Sequence, residues 1–379
     1  MPRPGTASAQ ASMRAAGAGG SYRVRSWGIL PGWLSAERSP ERRGLAAADC
    51  CDDRPNARVG ATNGGGVGNG ACRAYCQVMS IRDRAEYGVF RTGLALLRAL
   101  PRRWSAGLLH AAGRAAVRHN WWRAEVARRQ MAAAFPEREA ADIETLLAKM
   151  YRHLADSVCE IFIERESPPL ASAPAGEDAL GQALQPGKGL ILASLHLGNF
   201  ELCGRVIAAR CDLLDVVKPQ RNRVFDRYID AMRNRHGIAT VPMDRSGPAV
   251  LAQLRRGGVV SLLLDQDAGD KGVVVDFLGR PASTWPGAAR LSLQTGCPVL
   301  PVCLVRGEHG EHELVCGPLL DPAQLPETQR NPTAFTALIT AHLEEFVRRR
   351  PQQWFWVHRR WKGAAQKDRR PGTGTAVAR

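Results

Sequence analysis

From Pro186 onward the chain alternates short apolar runs with stretches of helical periodicity, and this alternation constrains the fold more than any other feature of the sequence. The apolar runs fall at 189–194, 213–217, 238–241, 259–264 and 299–305, and the helical patterns between them at about 200–210, 224–236, 247–256 and 286–295. Runs this short, apolar on both faces, read as strands buried on both sides. Their alternation with helices predicts an α/β domain with a largely parallel central sheet flanked by helices. In such sheets, sites form at the carboxyl ends of the strands.

Ahead of this core the pattern is purely helical. Tyr87, Phe90, Leu94, Leu97 and Leu100 recur every three or four residues, Arg91 and Arg98 lie between them, and Pro101 ends the run. Further helices are expected at about 105–119, after Trp121-Trp122 through Met131, and at about 141–164. Together residues 79–165 form a helical cap on the 186–362 core. Two readings stay open for it: a packed lid, or a membrane-associating segment whose paired tryptophans and snorkelling arginines suit a headgroup boundary. No stretch approaches the length of apolar sequence that a membrane-spanning helix requires, so a polytopic membrane protein is excluded.

Residues 1–78 show no sustained period and hold the Gly64-Gly65-Gly66 run. Such a segment buries too little apolar surface to offset its ordering entropy, so it is expected to be a disordered or non-native extension, with Met79 as the functional start. Residues 363–379 are expected to be a flexible tail. The net charge is +16, and only six of the 52 basic residues are lysine. That balance suits nucleic acid, anionic lipid or an acidic carrier protein, and composition does not choose among them. A nucleic-acid-binding protein is disfavoured because no recognised module is present. The ten cysteines form no C-x-x-C pair, and the later ones sit in apolar runs, as expected of buried thiols in a reducing compartment.

The densest chemical signal is Leu192-Ala-Ser-Leu-His196-Leu-Gly-Asn199-Phe-Glu201. On one continuous helix, residues five apart point about 140° away from each other. With His196 at a strand end and Glu201 in the first helical turn, the intervening turn is expected to bring the carboxylate onto the imidazole. That pair would be a general base and its orienting partner. A zinc site is disfavoured, because no second histidine stands at metal-binding spacing. A serine nucleophile is disfavoured by the absence of G-x-S-x-G. No metal or cofactor is expected.

The segment His196-Leu-Gly-Asn-Phe-Glu201 resembles the catalytic block of the lipid A biosynthesis lauroyl/myristoyl acyltransferases, within the lysophospholipid acyltransferase superfamily. Three more blocks resemble the same family in the same order. They are Lys218-Pro-Gln-Arg-Asn222 with Arg233-Asn-Arg235-His-Gly237, then Leu264-Asp265-Gln266-Asp267, then Pro351-Gln-Gln-Trp354-Phe-Trp356-Val-His358-Arg359-Arg360-Trp361-Lys362. The resemblance spans about 81–362. It implies an O-acyltransferase that moves a fatty acyl chain from an acyl-carrier-protein or acyl-CoA thioester to a hydroxyl of an anionic glycolipid. A lipid A precursor is the first acceptor, and a phosphatidylinositol mannoside or another lysolipid the alternative.

The resemblance further implies His196 and Glu201 as catalytic and Asn199, Asn222, Arg233, Arg235, Asp265 and Gln266 as substrate-binding. Of Arg233 and Arg235, one is expected on a phosphate and the other in an ion pair. Asp265 ends a strand at the same sheet edge as His196, and capping the following loop is its alternative role. Trp354 and Trp356 are read as one face of a strand whose other face carries solvated charges or a headgroup- or carrier-binding rim. Attachment to the cytoplasmic face of the inner membrane is expected. Family members commonly carry one spanning helix, but arginines and Pro101 interrupt the corresponding segment here, so the attachment is expected to be peripheral or weak. A second departure is Lys218, where relatives often have arginine.

Overall fold

The computed structural model describes residues 80–163, 174–184 and 187–367. The expectations for residues 1–78 lie outside that range. Four helices come first: α1 (Ile81–Ala99), α2 (Arg102–Arg118), α3 (Ala124–Ala134) and α4 (Ala140–Val158), the last continuing into a π-helical turn, Cys159–Ile163. Ser80 caps α1 by accepting from the Asp83 amide, and Pro101 separates α1 from α2. Helix α5 (Pro174–Leu184) leads into the core.

The core runs β1 (Leu190–Ser194), α6 (Phe200–Ala208), β2 (Leu213–Val217), α7 (Arg223–Arg235), β3 (Ile238–Pro242), α8 (Gly247–Arg255) and β4 (Val259–Leu263). It continues with β5 (Val273–Phe277), β6 (Arg280–Thr284), α9 (Gly287–Thr295), β7 (Val299–Arg306), β8 (His312–Cys316), α10 (Pro332–Arg349) and α11 (Lys362–Lys367). The main sheet has the order β3-β2-β4-β1-β7-β8; every pairing is parallel except β7 with β8. The α/β class and the five strands expected from the apolar runs are present, with ends shifted by a residue or so.

Burial on both faces explains the continuous apolar runs. Along β1, Leu190 and Leu192 pack with Leu202, Val206 and Ile207 of α6. Ile191 and Ala193 face the opposite side, in a cluster shared with Met131, Leu147 and Met150 of the cap. The cap is therefore bonded to the core through one of its faces. Its other face exposes Trp104, Leu108, Trp121 and Trp122. No helix among the described residues is long and apolar enough to cross a membrane.

Helix α5, the β5–β6 hairpin, β8 and α10 have no counterpart in the periodicity. Pro281 within β6 breaks the appearance of a strand, and the hairpin turns through Leu278 and Gly279 at φ +53° and +71°. Two expectations are corrected. Trp354 and Trp356 lie in irregular chain, both indoles are buried, and Arg360 is wholly buried instead of solvated. The expected tail from 363 starts with the short helix α11, and the Gly363 amide donates to Asp267 Oδ1 at 2.9 Å.

Candidate active site

Strand register assembles the centre of the site. β1 and β4 are parallel neighbours in which Ser194 pairs with Leu263, and the Leu264 amide donates to the Ser194 carbonyl at 3.0 Å. His196 and Asp265 each lie two residues beyond that paired end, so the sheet itself delivers them to one place. Asp265 Oδ1 lies 2.8 Å from His196 Nδ1, and Asp265 Oδ2 accepts from the His196 backbone N–H at 2.9 Å and from the Trp354 indole at 2.7 Å. Asp265 is almost fully buried. Burial works to raise its carboxyl, but the charge and hydrogen bonds of His196, with the Trp354 hydrogen bond, outweigh it and hold the group below the ordinary carboxylate range. An ionised Asp265 requires a proton on Nδ1, which leaves Nε2 as the accepting nitrogen and so the base. The Gln266 side-chain amide stands 3.3 Å from Nε2. Phe200 packs edge-on against the imidazole at 4.9 Å between ring centroids.

Glu201 does not take the place expected of it. Its carboxylate forms a two-point pair with Arg233 of α7, with Nε to Oε2 at 3.1 Å and a second, closer bond from Nη2 to Oε1. In the first turn of α6, Phe200 faces the imidazole and Glu201, one residue on, faces α7. Burial works against the Arg233 charge, and the Glu201 carboxylate more than restores it. Beside this pair a narrow slot runs between α6 and the sheet, lined by Phe200, Cys203, Gly204, Asp215 and Leu263. Burial pushes the Asp215 carboxyl up to about 6, and its Oδ1 has no hydrogen-bond partner.

The remaining expected residues separate into two groups. Gln266 is at the imidazole, and Arg233 is the member of its arginine pair that forms an ion pair; Arg235 is exposed and donates to the Ala231 carbonyl of its own helix. Asn199 and Asn222, expected at the substrate, both cap helices. Asn199 accepts from the Leu202 amide with one amide atom and donates to buried Glu160 with the other. Asn222 accepts from Val224 and Phe225 and donates to the Asp83 carbonyl and to Glu86, tying α7 to the cap.

The loop after Asp265 is held from behind by His358 and Arg360 of the fourth block, which the sequence places among solvated charges or on a binding rim. Arg360 donates to the Ser283 carbonyl at 2.6 Å and to Thr284 at 2.5 Å, and stacks over Phe277. Burial pushes its guanidinium down to about 10. His358 Nε2 accepts from the Asp267 amide at 3.1 Å. No group of three or more His, Cys, Asp or Glu side chains among the described residues is arranged to hold a metal ion. A buried carboxylate behind a partly exposed imidazole flanked by Phe200 and Phe355 is suited to taking a proton from a hydroxyl group.

Comparison with known proteins bears on which hydroxyl chemistry this is. A family model for the bacterial lipid A biosynthesis acyltransferases matches residues 85–363. The chain is 25% identical over 247 residues to the lipid A biosynthesis palmitoleoyltransferase of Escherichia coli (strain K12), covering 63% of this chain and 79% of that protein. It is 29% identical over 204 residues to a phosphatidylinositol mannoside acyltransferase of Mycobacterium tuberculosis (strain ATCC 25618 / H37Rv), covering 52% and 61% respectively. A protein of the same name from Mycolicibacterium smegmatis (strain ATCC 700084 / mc(2)155) is 25% identical over 302 residues, covering 76% and 94%.

Proposed function

The chain belongs to the bacterial lipid A biosynthesis acyltransferase family, and on that premise we propose that it moves a fatty acyl chain from an acyl-carrier-protein thioester to a hydroxyl of a lipid A precursor. The observation that carries the chemistry is the His196–Asp265 pair, with Nδ1 held at 2.8 Å by the carboxylate and Nε2 left as a base. The acceptor hydroxyl gives its proton to His196 Nε2 as its oxygen bonds to the thioester carbonyl carbon. Asp265 balances the imidazolium that forms. The tetrahedral oxyanion then collapses, the carbon–sulfur bond breaks, and the departing thiolate takes the proton from His196. No acyl-enzyme is formed.

Oxyanion stabilisation falls to side chains in this reading. The backbone N–H groups of Leu197, Gly198 and Asn199 already donate to Leu195, Gln353 and Leu304. The Gln266 amide, beside Nε2, is the donor nearest to the reacting oxygen. The exposed tryptophans of the cap and its many arginines support peripheral attachment at the cytoplasmic face of the inner membrane, and the same positive charge suits an acidic carrier protein.

A second acceptor, phosphatidylinositol mannoside, is favoured by the similarity to the mycobacterial enzymes of that name. The two are separated by incubating the purified full chain with acyl carrier protein charged with a defined fatty acid and with each acceptor in turn, followed by mass spectrometry of the lipids. Transfer to the lipid A precursor, lost in His196→Ala, is the expected result. Transfer to the mannoside alone would replace the acceptor, and undiminished transfer by His196→Ala would remove the mechanism.

A further inference from the structure

Behind the turn that joins His196 to Glu201 lies a buried charge cluster that the proton transfer does not use. Glu160 sits in the π-helical turn at the end of α4, a local distortion that re-aims one side chain inward. Its carboxylate accepts two bonds from Arg306 at the end of β7, one of them from Nη2 at 2.8 Å, and lies 3.0 Å from His312 Nε2 on β8. Its third partner is the Asn199 side-chain amide, which donates at 2.8 Å. Burial works to raise the Glu160 carboxyl, but the hydrogen bonds from His312 and Arg306 and their charge outweigh it and hold the group at about 2. The carboxylate is therefore ionised throughout the physiological range.

Asn199 links this cluster to the site. Its Oδ1 accepts from the Leu202 amide at 3.0 Å and so begins α6, the helix that carries Glu201, while its Nδ2 is spent on Glu160. The rest of the turn is braced from the same side. The Gly198 amide donates to the Gln353 carbonyl at 3.0 Å, and buried His153, whose imidazole burial pushes down to about 4, donates to the Gly198 carbonyl at 3.2 Å. Gln353 in turn spans Arg306, donating to its carbonyl at 2.7 Å and accepting from its amide at 2.9 Å. The end of α4, its π-helical turn, β7 and the 351–353 segment thus converge on a turn three residues long, and Glu160 joins that turn to Arg306 of β7 and His312 of β8.

We propose that Glu160 is a positioning residue for acyl transfer: through Asn199 it fixes the Leu197–Asn199 turn, and so the placement of the adjoining His196. The proposal rests on the acyl-transfer reading above. Its mechanism is geometric, because a displacement of about 1 Å at reacting groups costs on the order of 100-fold in rate. Neither Glu160 nor its partners Arg306 and His312 touch the reacting atoms.

The discriminating variant is Asn199→Ser. Serine is as good a helix cap as asparagine, so α6 keeps its start, but the bond to Glu160 is lost. Glu160→Gln breaks the same connection from the other end; should it fail to fold, Asn199→Ser carries the test alone. With charged acyl carrier protein and lipid A precursor, Asn199→Ser should lower kcat tenfold or more while both KM values stay within twofold. The double variant should lose no more than the worse single one, because both remove one connection. Amide hydrogen exchange of the 195–203 segment should quicken at least tenfold, with β4 unchanged. An unaltered kcat in active protein, a loss carried by KM, multiplicative losses in the double variant, or unaltered exchange would each overturn the proposal. Inactive wild-type protein would count against the acyl-transfer reading, and the exchange measurement would still decide whether Glu160 braces the turn.

Discussion

Replacing Asp265 by asparagine tests the assignment of the catalytic carboxylate, and the hydrogen bonds around it dictate the outcome. Oδ2 receives two donors, the His196 backbone N–H at 2.9 Å and the Trp354 indole at 2.7 Å, while Oδ1 faces Nδ1 alone at 2.8 Å. Asparagine has one oxygen. Placed at the Oδ2 position, it keeps both donors satisfied; placed at Oδ1, it leaves two buried N–H groups facing an NH2, at about 1–3 kcal/mol each. The first orientation therefore dominates, and it directs the new NH2 at Nδ1. The imidazole must then accept at Nδ1 and carry its proton on Nε2, where the base is needed. Inverting the tautomer of a catalytic histidine in this way costs about 10⁴-fold in kcat, equivalent to about 5.5 kcal/mol of transition-state stabilisation.

The measurement is a single-turnover acyl-transfer rate at saturating donor and acceptor, with the His196 tautomer read by ¹⁵N NMR. Glu201→Gln is the comparison, since it removes the carboxylate that local spacing favoured. A loss of less than tenfold in Asp265→Asn, an unchanged tautomer, or a greater loss of kcat in Glu201→Gln would refute the assignment. The low Asp265 carboxyl also has a sign in stability. Its ionised form is favoured by folding, so its contribution is present above the ordinary carboxylate range and is lost as pH falls below it.

Two further outcomes follow from burial and backbone geometry. Asp215, pushed by burial up to about 6, is disfavoured when ionised, so wild-type stability should fall as pH rises from about 4 to about 6 and then level off. Asp215→Asn should accordingly add about 1–3 kcal/mol at pH 7.5 and nothing at pH 4, measured by urea denaturation; an equal gain at both pH values would contradict this. Gly198 has φ +62°, and a Cβ there would stand 1.8 Å from the Leu304 carbonyl oxygen. Gly198→Ala should cost at least about 3 kcal/mol or prevent folding, whereas Gly287→Ala, with open space around it, should leave the thermal midpoint unchanged.

Much of the fold was legible because its cause is local. The strand runs are apolar on both faces, helices alternate with them, and Pro101 stops a helix where the periodicity says it must. The β5–β6 hairpin escaped because Pro281 and the turn at Leu278-Gly279 mask its alternation, and α10 because its helical pattern was not separated from the surrounding loop. In the site, His196 was legible from its position at a strand end, and Asp265 was already expected at the same sheet edge. What misled was proximity in sequence: Glu201, five residues from His196, was paired with it, while its actual partner Arg233 lies 32 residues away. The capping roles of Asn199 and Asn222 were not legible, because each depends on where the following helix begins.

Taken alone, the sequence determines the α/β class, five strands of the main sheet, the helical cap and the histidine on which the proposed chemistry turns. These follow from periodicity and from chain punctuation, which need no knowledge of what lies across the sheet. Only the tertiary structure decides that β4 lies beside β1, in the register that brings Asp265 to His196, and that Glu160, Arg306, His312 and Asn199 converge behind the turn. The reason is physical: which strands become neighbours is settled by burying two apolar faces at once, and the partner of a buried charge is whatever the packed elements deliver to it.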